Sequence, residues 1–279
     1  MPSSPMPMMD SQRRGVQVAR SAVTTMSLRV LILGGTTEAS ALAKLLDGDA
    51  RADPILSLAG RTTEPRPQPI KTRSGGFGGI DGLVRYLREE KIQAMIDATH
   101  PYANQMSAHA VAACTTANLP LASLVRPAWS QQTGDRWQGV PDADAAARAL
   151  GPTPRRVFLS LGRQELHAFG AAPHHHYVAR VIEPPDGAAL PPDLKVVQAR
   201  GPFDLAAEKR LLAGEKIEIL VSKNAGGPAT YAKIEAARAL GLPTVMIARP
   251  DKPHGHVVTS AEEAVAWLHD VASRSPRGV

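Results

Sequence analysis

The chain has 279 residues and carries 32 Lys and Arg against 26 Asp and Glu, a formal net charge of +6. With 43% hydrophobic and 21% charged residues it can fill a core, which excludes wholesale disorder. Its longest apolar runs, such as Val30 to Leu33 and Ile217 to Val221, are strand-length and far short of the ~20 residues that span a bilayer.

Basic residues are scattered, aromatics make up 4%, and no RNP, zinc-finger or basic-helix pattern occurs. Neither membrane nor nucleic acid is expected as a partner, whereas a small anionic ligand would use the positive excess. The single cysteine, Cys114, excludes an internal disulfide framework and fits a reducing compartment such as the cytoplasm. It stands among alanines in a helical stretch, as a packed small residue would. Residues 1–27, rich in Pro, Ser and Met, lack the apolar core of a secretory signal and read as a floppy extension, with Met26 as an alternative start.

Leu28 to Leu33 is a continuous apolar run that stops at Gly34-Gly35, as a buried parallel strand should. Thr36 or Thr37 caps a helix with Ala39, Leu42, Leu45 and Leu46 on one face. Ile55 to Ala59 is a second strand ending at Gly60-Arg61-Thr62. A Pro- and Gly-rich loop closes with Gly75 to Gly79, after which Asp81 is the expected cap of a short helix. Ile92 to Ala98 reads as a strand, Ala103 to Ala117 as a helix and Leu121 to Val125 as a strand. Residues 126–154, with four prolines, suit a linker holding one alanine-rich helix, Asp142 to Leu150. The alternation then resumes. Strands are expected at Val157 to Leu161, Tyr177 to Ile182, Val196 to Ala199, Ile217 to Val221 and Thr244 to Ala248, and helices at Phe203 to Ala213, Pro228 to Leu240 and Ala261 to Val271. Alternating strands and helices predict an α/β protein with parallel sheets covered on both faces.

A weak repeat divides the chain. Leu119-Pro120 through Arg126-Pro127 matches Leu242-Pro243 through Arg249-Pro250 at an offset of 123, which also aligns Ile92 to Ala98 with Glu215 to Val221. Two domains are therefore expected, 28–127 and 128–279, with the final helix free to pack on either. His100 and Lys223 would then stand in equivalent loops beyond the carboxyl ends of equivalent strands, where open parallel sheets bind ligands. Facing one another, the domains would form a cleft lined by both loops.

The junction Gly34-Gly35-Thr36-Thr37-Glu38 joins a first strand to a helix N-terminus, where N–H groups and the dipole favour a pyrophosphate. It lacks the full G-x-G-x-x-G pattern, so a plain tight turn is the competing reading. The second strand ends in Gly60-Arg61-Thr62 rather than an acidic residue, which favours a 2′-phosphate and hence NADPH over NADH; a solvated loop arginine is the alternative. Gly75 to Gly79, including Gly76, would add a second backbone wall. Asp97-Ala98-Thr99-His100-Pro101-Tyr102 ends the third strand, where the nicotinamide end belongs. Ser222-Lys223-Asn224-Ala225-Gly226-Gly227, with Arg126 and Arg249, offers cations and N–H groups for carboxylates.

Other chemistries lack their residues. There is no P-loop, no G-x-S-x-G elbow and no tyrosine with lysine four residues on. His174-His175-His176 reads as a polar loop, because adjacent side chains do not converge on one ion, and no metal site is expected.

Together these segments, with Arg126-Pro127-Ala128-Trp129, Gly201-Pro202-Phe203 and Lys233-Ile234-Glu235-Ala236-Ala237-Arg238, resemble the signatures of the precorrin-6A reductase family, in register from about Leu28 to Pro250. The resemblance implies two Rossmann-like domains, the first binding NADPH and the second the substrate. It further implies an anionic tetrapyrrole, precorrin-6A, in the cleft, and hydride delivery to its carbon 19 in cobalamin synthesis. On that basis Gly34, Gly35, Thr36, Thr37, Glu38, Gly60, Arg61, Thr62, Gly76, Asp97, Ala98 and Thr99 are expected at the cofactor. His100, Tyr102, Arg126, Lys223, Asn224, Gly226, Gly227 and Arg249 are expected at the substrate. His100, Tyr102 or water supplies the proton. A cobalt-containing precorrin, another anionic substrate and a non-catalytic NADPH sensor are the rival readings, and contact with neighbouring pathway enzymes is left open.

Overall fold

The computed structural model describes residues 27–60, 65–185 and 189–274. The run Leu28–Leu33 forms β1 in the interior of a six-stranded parallel sheet, between β2 (Ala52–Leu58) and β4 (Ala94–Asp97). Val30 stands opposite Pro54 on one side and Ala94 on the other, and strand burial on both faces explains the apolar run Val30 to Leu33, while Arg29 near the strand start pairs with Asp53 and Glu90. Beyond β2 lies β3 (Lys71–Ser74), and beyond β4 lies β5 (Leu121–Leu124). Helices α1 (Thr37–Leu46), α2 (Gly79–Glu89) and α3 (Asn104–Ala117) cover the faces. On α1 the buried stripe is Ala39, Leu42, Ala43 and Leu46, while Leu45, expected inside, is exposed. The N-cap of α2 is Gly78, in the left-handed region, and Asp81 falls within the first turn instead of capping it.

The second sheet repeats the first. Strands β7 (Arg156–Ser160), β8 (His176–Val181), β9 (Leu194–Gln198), β10 (Ile219–Lys223) and β11 (Pro243–Ile247) take the places of β1, β2, β3, β4 and β5. A 3-10 helix (Arg163–Ala171) replaces α1, and α5 (Leu205–Gly214) and α6 (Ala232–Ala239) replace α2 and α3. Pairing puts Met95 opposite Leu121 and Leu220 opposite Thr244. The offset of 123 therefore holds for β5 and β11, whereas β10 has slipped two residues against β4. An even slip keeps the same faces inward.

The sixth strand of each sheet comes from outside this repeat. After β5 the chain crosses and lays β6 (Arg136–Val140) beside β11, followed by α4 (Ala143–Ala149). After β11 it crosses back and lays β12 (His256–Val258) beside β5. The last helix, α7 (Ala261–Arg274), packs on α1. Residues 256–258 thus complete the first sheet although they fall within the expected 128–279, and α7, free to pack on either domain, packs on the first. Ser260 Oγ accepts from Glu263 N and Glu263 accepts from Thr259 N, a reciprocal cap that starts α7.

Each sheet has a core cluster on either face. Tyr102, from the loop after β4 in the first lobe, packs into the core of the second. The strand ends of both lobes therefore meet across a shared junction.

Candidate functional site

At the end of β1, Gly34 lies so close to β2 that a Cβ there would come within 2.6 Å of Leu56 Cδ1. Gly35 has φ +107° and nothing within 4 Å of the position a Cβ would take, so the backbone is bare toward open space. Thr36 Oγ1 accepts from Ala39 N at 3.1 Å, capping α1, and donates to Ala98 O at 2.8 Å. That second bond ties the α1 junction to the end of β4. The leading N–H groups of α1 face outward, as at any helix start, and match an anion. Across from them, Gly60 (φ +70°) abuts Gly75, and Gly75 and Gly76 leave their Cβ positions empty. Arg73 fixes this wall by donating to Ser57 Oγ, Gly75 O and Gly76 O, with its guanidinium 4.0 Å from the Phe77 ring centroid. Such a cradle fits a dinucleotide pyrophosphate. Arg61 and Thr62 lie outside the described residues.

Two residues expected at the cofactor are otherwise engaged. Asp97, 1% exposed, accepts from Thr99 N, Thr99 Oγ1 and Ser107 Oγ, with Lys252 Nζ at 3.3 Å. It anchors the Thr99 loop from below. Glu38 pairs at 2.5 Å with Arg126 and accepts from Thr37 Oγ1.

Most residues expected at substrate carboxylates hold the lobes together. Arg126 also donates to Ala225 O at 2.7 Å. Arg249 donates to Asn224 O, Arg126 O, Pro127 O and Ala225 O at 2.8–3.1 Å, so its guanidinium is committed to backbone carbonyls. The Asn224 side chain exchanges two hydrogen bonds with the Trp129 backbone. Gly226 and Gly227, both at positive φ, admit this approach; a Cβ on Gly226 would meet Pro127 O at 2.1 Å.

A cavity of about 530 Å³ opens beyond the strand ends of the second sheet. The second lobe supplies Arg163, Glu165, Arg180, Glu183, Lys223 and Lys233, and the first lobe closes it with His100, Tyr102 and Ala103. His100, from the loop after β4, and Lys223, the last residue of β10, line one space. Lys223 is ion-paired with Glu165 and stands 4.7 Å from the Tyr102 ring centroid. Arg180 is ion-paired with Glu208 and lies 3.6 Å from the Phe203 centroid. Lys233 donates to Ser160 Oγ at 2.9 Å.

Burial, reinforced by Arg126, Lys223, Lys233 and Lys252, pushes His100 down to about 3, so its imidazole is neutral. Its Nδ1 accepts from Tyr102 N at 3.3 Å. Tyr102 donates its hydroxyl to Ile247 O at 2.5 Å and accepts from Asn224 N at 2.8 Å; burial pushes it up to about 12. Burial first, then the charge of Arg180, lowers Lys233 to about 7.

Sequence reasoning passed over Arg180, Glu208 and Lys233. Their signal is charge at core positions: Arg180 interrupts an apolar strand, Glu208 precedes buried Leu212 by one helical turn, and Lys233 stands on the buried face of α6. In the run His174-His175-His176, His175 is buried and His176 begins β8; among the described residues no cluster able to hold a metal occurs. Nor is any described helix long and apolar enough to cross a membrane.

The family model for precorrin-6x reductases (CbiJ/CobK) matches residues 29–269. A precorrin-6A reductase of Rhodobacter capsulatus is 50% identical over 251 residues, covering 90% of this chain and 99% of that protein. A precorrin-6A reductase of Sinorhizobium sp is 47% identical, covering 85% of this chain and 91% of that protein. A cobalt-precorrin-6A reductase of Priestia megaterium is 27% identical, covering 86% of this chain and 97% of that protein. Among solved structures, a CobK precorrin-6A reductase superposes with a TM-score of 0.84 at 49% identity, over 90% of this chain and all of the other.

Proposed function

The chain belongs to the precorrin-6A reductase family, oxidoreductases of cobalamin biosynthesis, and on that premise we propose that it reduces metal-free precorrin-6A with NADPH across the cleft between its lobes. The observation that carries this reading is the Thr36–Ala98 hydrogen bond, which joins the open glycine cradle to the loop roofing the cationic cavity. A cofactor cradled at one end and a polyanionic ring held at the other share the wall formed by Thr99 to Tyr102. Relatives at 42–50% identity bear the metal-free name and those at 23–28% the cobalt name, which favours the metal-free substrate.

Gly34, Gly35 and the start of α1 would hold the pyrophosphate, and Arg61 with Thr62 the 2′-phosphate. When bound, the reduced nicotinamide supplies a hydride, here to carbon 19 of the macrocycle. The protein contributes position, dryness and charge. Arg163, Arg180 and Lys223 receive acetate and propionate arms, each charge-assisted bond contributing about 1.5–3 kcal/mol. Arg126, Asn224, Gly226, Gly227 and Arg249 act one step back, by fixing the lobes at the spacing the reaction needs.

Purified protein mixed with NADPH and precorrin-6A should oxidise the cofactor and yield a product two mass units heavier, faster than with NADH. Binding of NADPH without oxidation would refute the reductase reading. An Arg61→Glu variant that kept its preference for NADPH would refute the phosphate contact.

A further inference from the structure

Resting on the reductase reading above, we propose that Lys233 is the proton donor of the reaction, its buried ammonium protonating the ring atom next to the carbon that receives the hydride. Reducing one double bond needs two electrons and a proton in addition to the hydrogen carried with them. As the hydride forms the new C–H bond, the π pair of the double bond shifts to the neighbouring atom. That atom takes a proton from Nζ, the N–H bond breaks toward nitrogen, and Lys233 is left as a neutral amine that solvent reprotonates. The two electrons gained by the macrocycle are those lost by the nicotinamide.

The cavity holds few groups able to give that proton. The hydroxyl hydrogen of Tyr102 is committed to Ile247 O, and its oxygen already accepts from Asn224 N. His100 is neutral at working pH, and a neutral imidazole N–H is no acid. The guanidiniums of Arg163 and Arg180 hold their protons too tightly. The Lys223 ammonium is engaged by Glu165 in an ion pair.

Lys233 differs from all of these. It is 4% exposed, lines the cavity, and is held by the Ser160 hydroxyl; among the described residues no carboxylate lies within ion-pair distance of it. The groups facing it are Arg180 on β8, Glu208 on α5, Lys223 on β10, Arg126 from the crossing after β5, and the Trp129 ring 5.4 Å away. Three of these are cations and one is an anion already paired with Arg180. Giving up a proton relieves the buried charge, so the ammonium is an acid near neutrality.

The test is the pH dependence of single-turnover reduction in wild type, Lys233→Met and Lys233→Arg, together with an NMR titration of the Lys233 Cε resonance. In wild type the rate should fall as pH rises through about 7, and the resonance should titrate with the same midpoint. Both variants should lose ~10²–10⁴ in rate and the pH limb with it, while still binding NADPH and precorrin-6A. Lys233→Arg keeps the charge, so a role limited to gripping a carboxylate would leave the rate largely intact there. A near-wild-type rate in either variant, a limb that persists in both, or a titration at the ordinary lysine value of about 10.4 would overturn the proposal. If Lys233→Met fails to fold, the wild-type limb and the titration decide. A wild type that never oxidises NADPH with precorrin-6A overturns the reductase reading, and this proposal with it.

Discussion

Replacing Arg249 by Met separates a lobe-joining role from a substrate-binding one. Its guanidinium donates to four backbone carbonyls, at 2.8 Å to Asn224 and Arg126, 2.9 Å to Ala225 and 3.1 Å to Pro127. Burial, with Arg126 nearby, lowers its pKa, the opposite of what a carboxylate partner would do. Each charge-assisted bond contributes about 1.5–3 kcal/mol and the four are not additive, so the variant should lose about 3–5 kcal/mol, much of it from carbonyls left without donors. At roughly 2–4 °C per kcal/mol for a chain of this size, thermal unfolding should start about 10 °C lower. Arg249→Lys should recover little, because an ammonium cannot reproduce the fork. At a temperature where the variant stays folded, KM and kcat should change together as lobe spacing loosens. Unchanged thermal stability with a KM raised tenfold would refute this reasoning and return Arg249 to the substrate.

Arg180→Met should destabilise the second lobe by about 3–5 kcal/mol, because Glu208 stays buried and unpaired, with its Oε2 already lacking a hydrogen bond. Adding Glu208→Leu should restore most of the loss, as read from denaturant unfolding, and no recovery would contradict the pairing. Asp49 joins the first lobe to α7 through His269. Burial raises its pKa, but hydrogen bonds from Arg51 and His269 outweigh this and bring it to about 2. A depressed carboxylate stabilises the fold above its unfolded value of 3.8 and loses that contribution as pH falls toward 2. Wild type should therefore lose melting temperature between pH 4 and 2 by more than Asp49→Asn does; parallel curves would be the contrary result.

Interior strands were legible because burial on both faces demands apolar residues, as in Val30 to Leu33 and Ile219 to Val221. Three of the four edge strands escaped notice for the converse reason. Lys71–Ser74 and Arg136–Val140 are largely exposed and polar, and β12 has three residues, so none leaves an apolar signature. The glycine cradle was legible as backbone chemistry at a strand–helix junction. The roles of Arg126 and Arg249 were not. An arginine at a sheet end can grip a ligand or a carbonyl, and which it does depends on how closely the lobes approach, a distance set by Gly226 and Gly227. The sequence places Lys233 in the motif Lys233 to Arg238 without marking it as a site residue, because one charge on a helix usually faces water, and its burial follows from packing alone.

Binding each ligand separately to two variants tests the central claim most directly. Calorimetric titration of Gly35→Val and Lys223→Met with NADPH, and with precorrin-6A in the presence of NADP⁺, should give a crossed pattern. The first variant, whose new side chain fills the open cradle, should lose NADPH but still admit the tetrapyrrole; the second should bind NADPH normally and the tetrapyrrole at least tenfold more weakly. Loss of the same ligand in both variants, or of neither, would contradict a division of labour between the lobes.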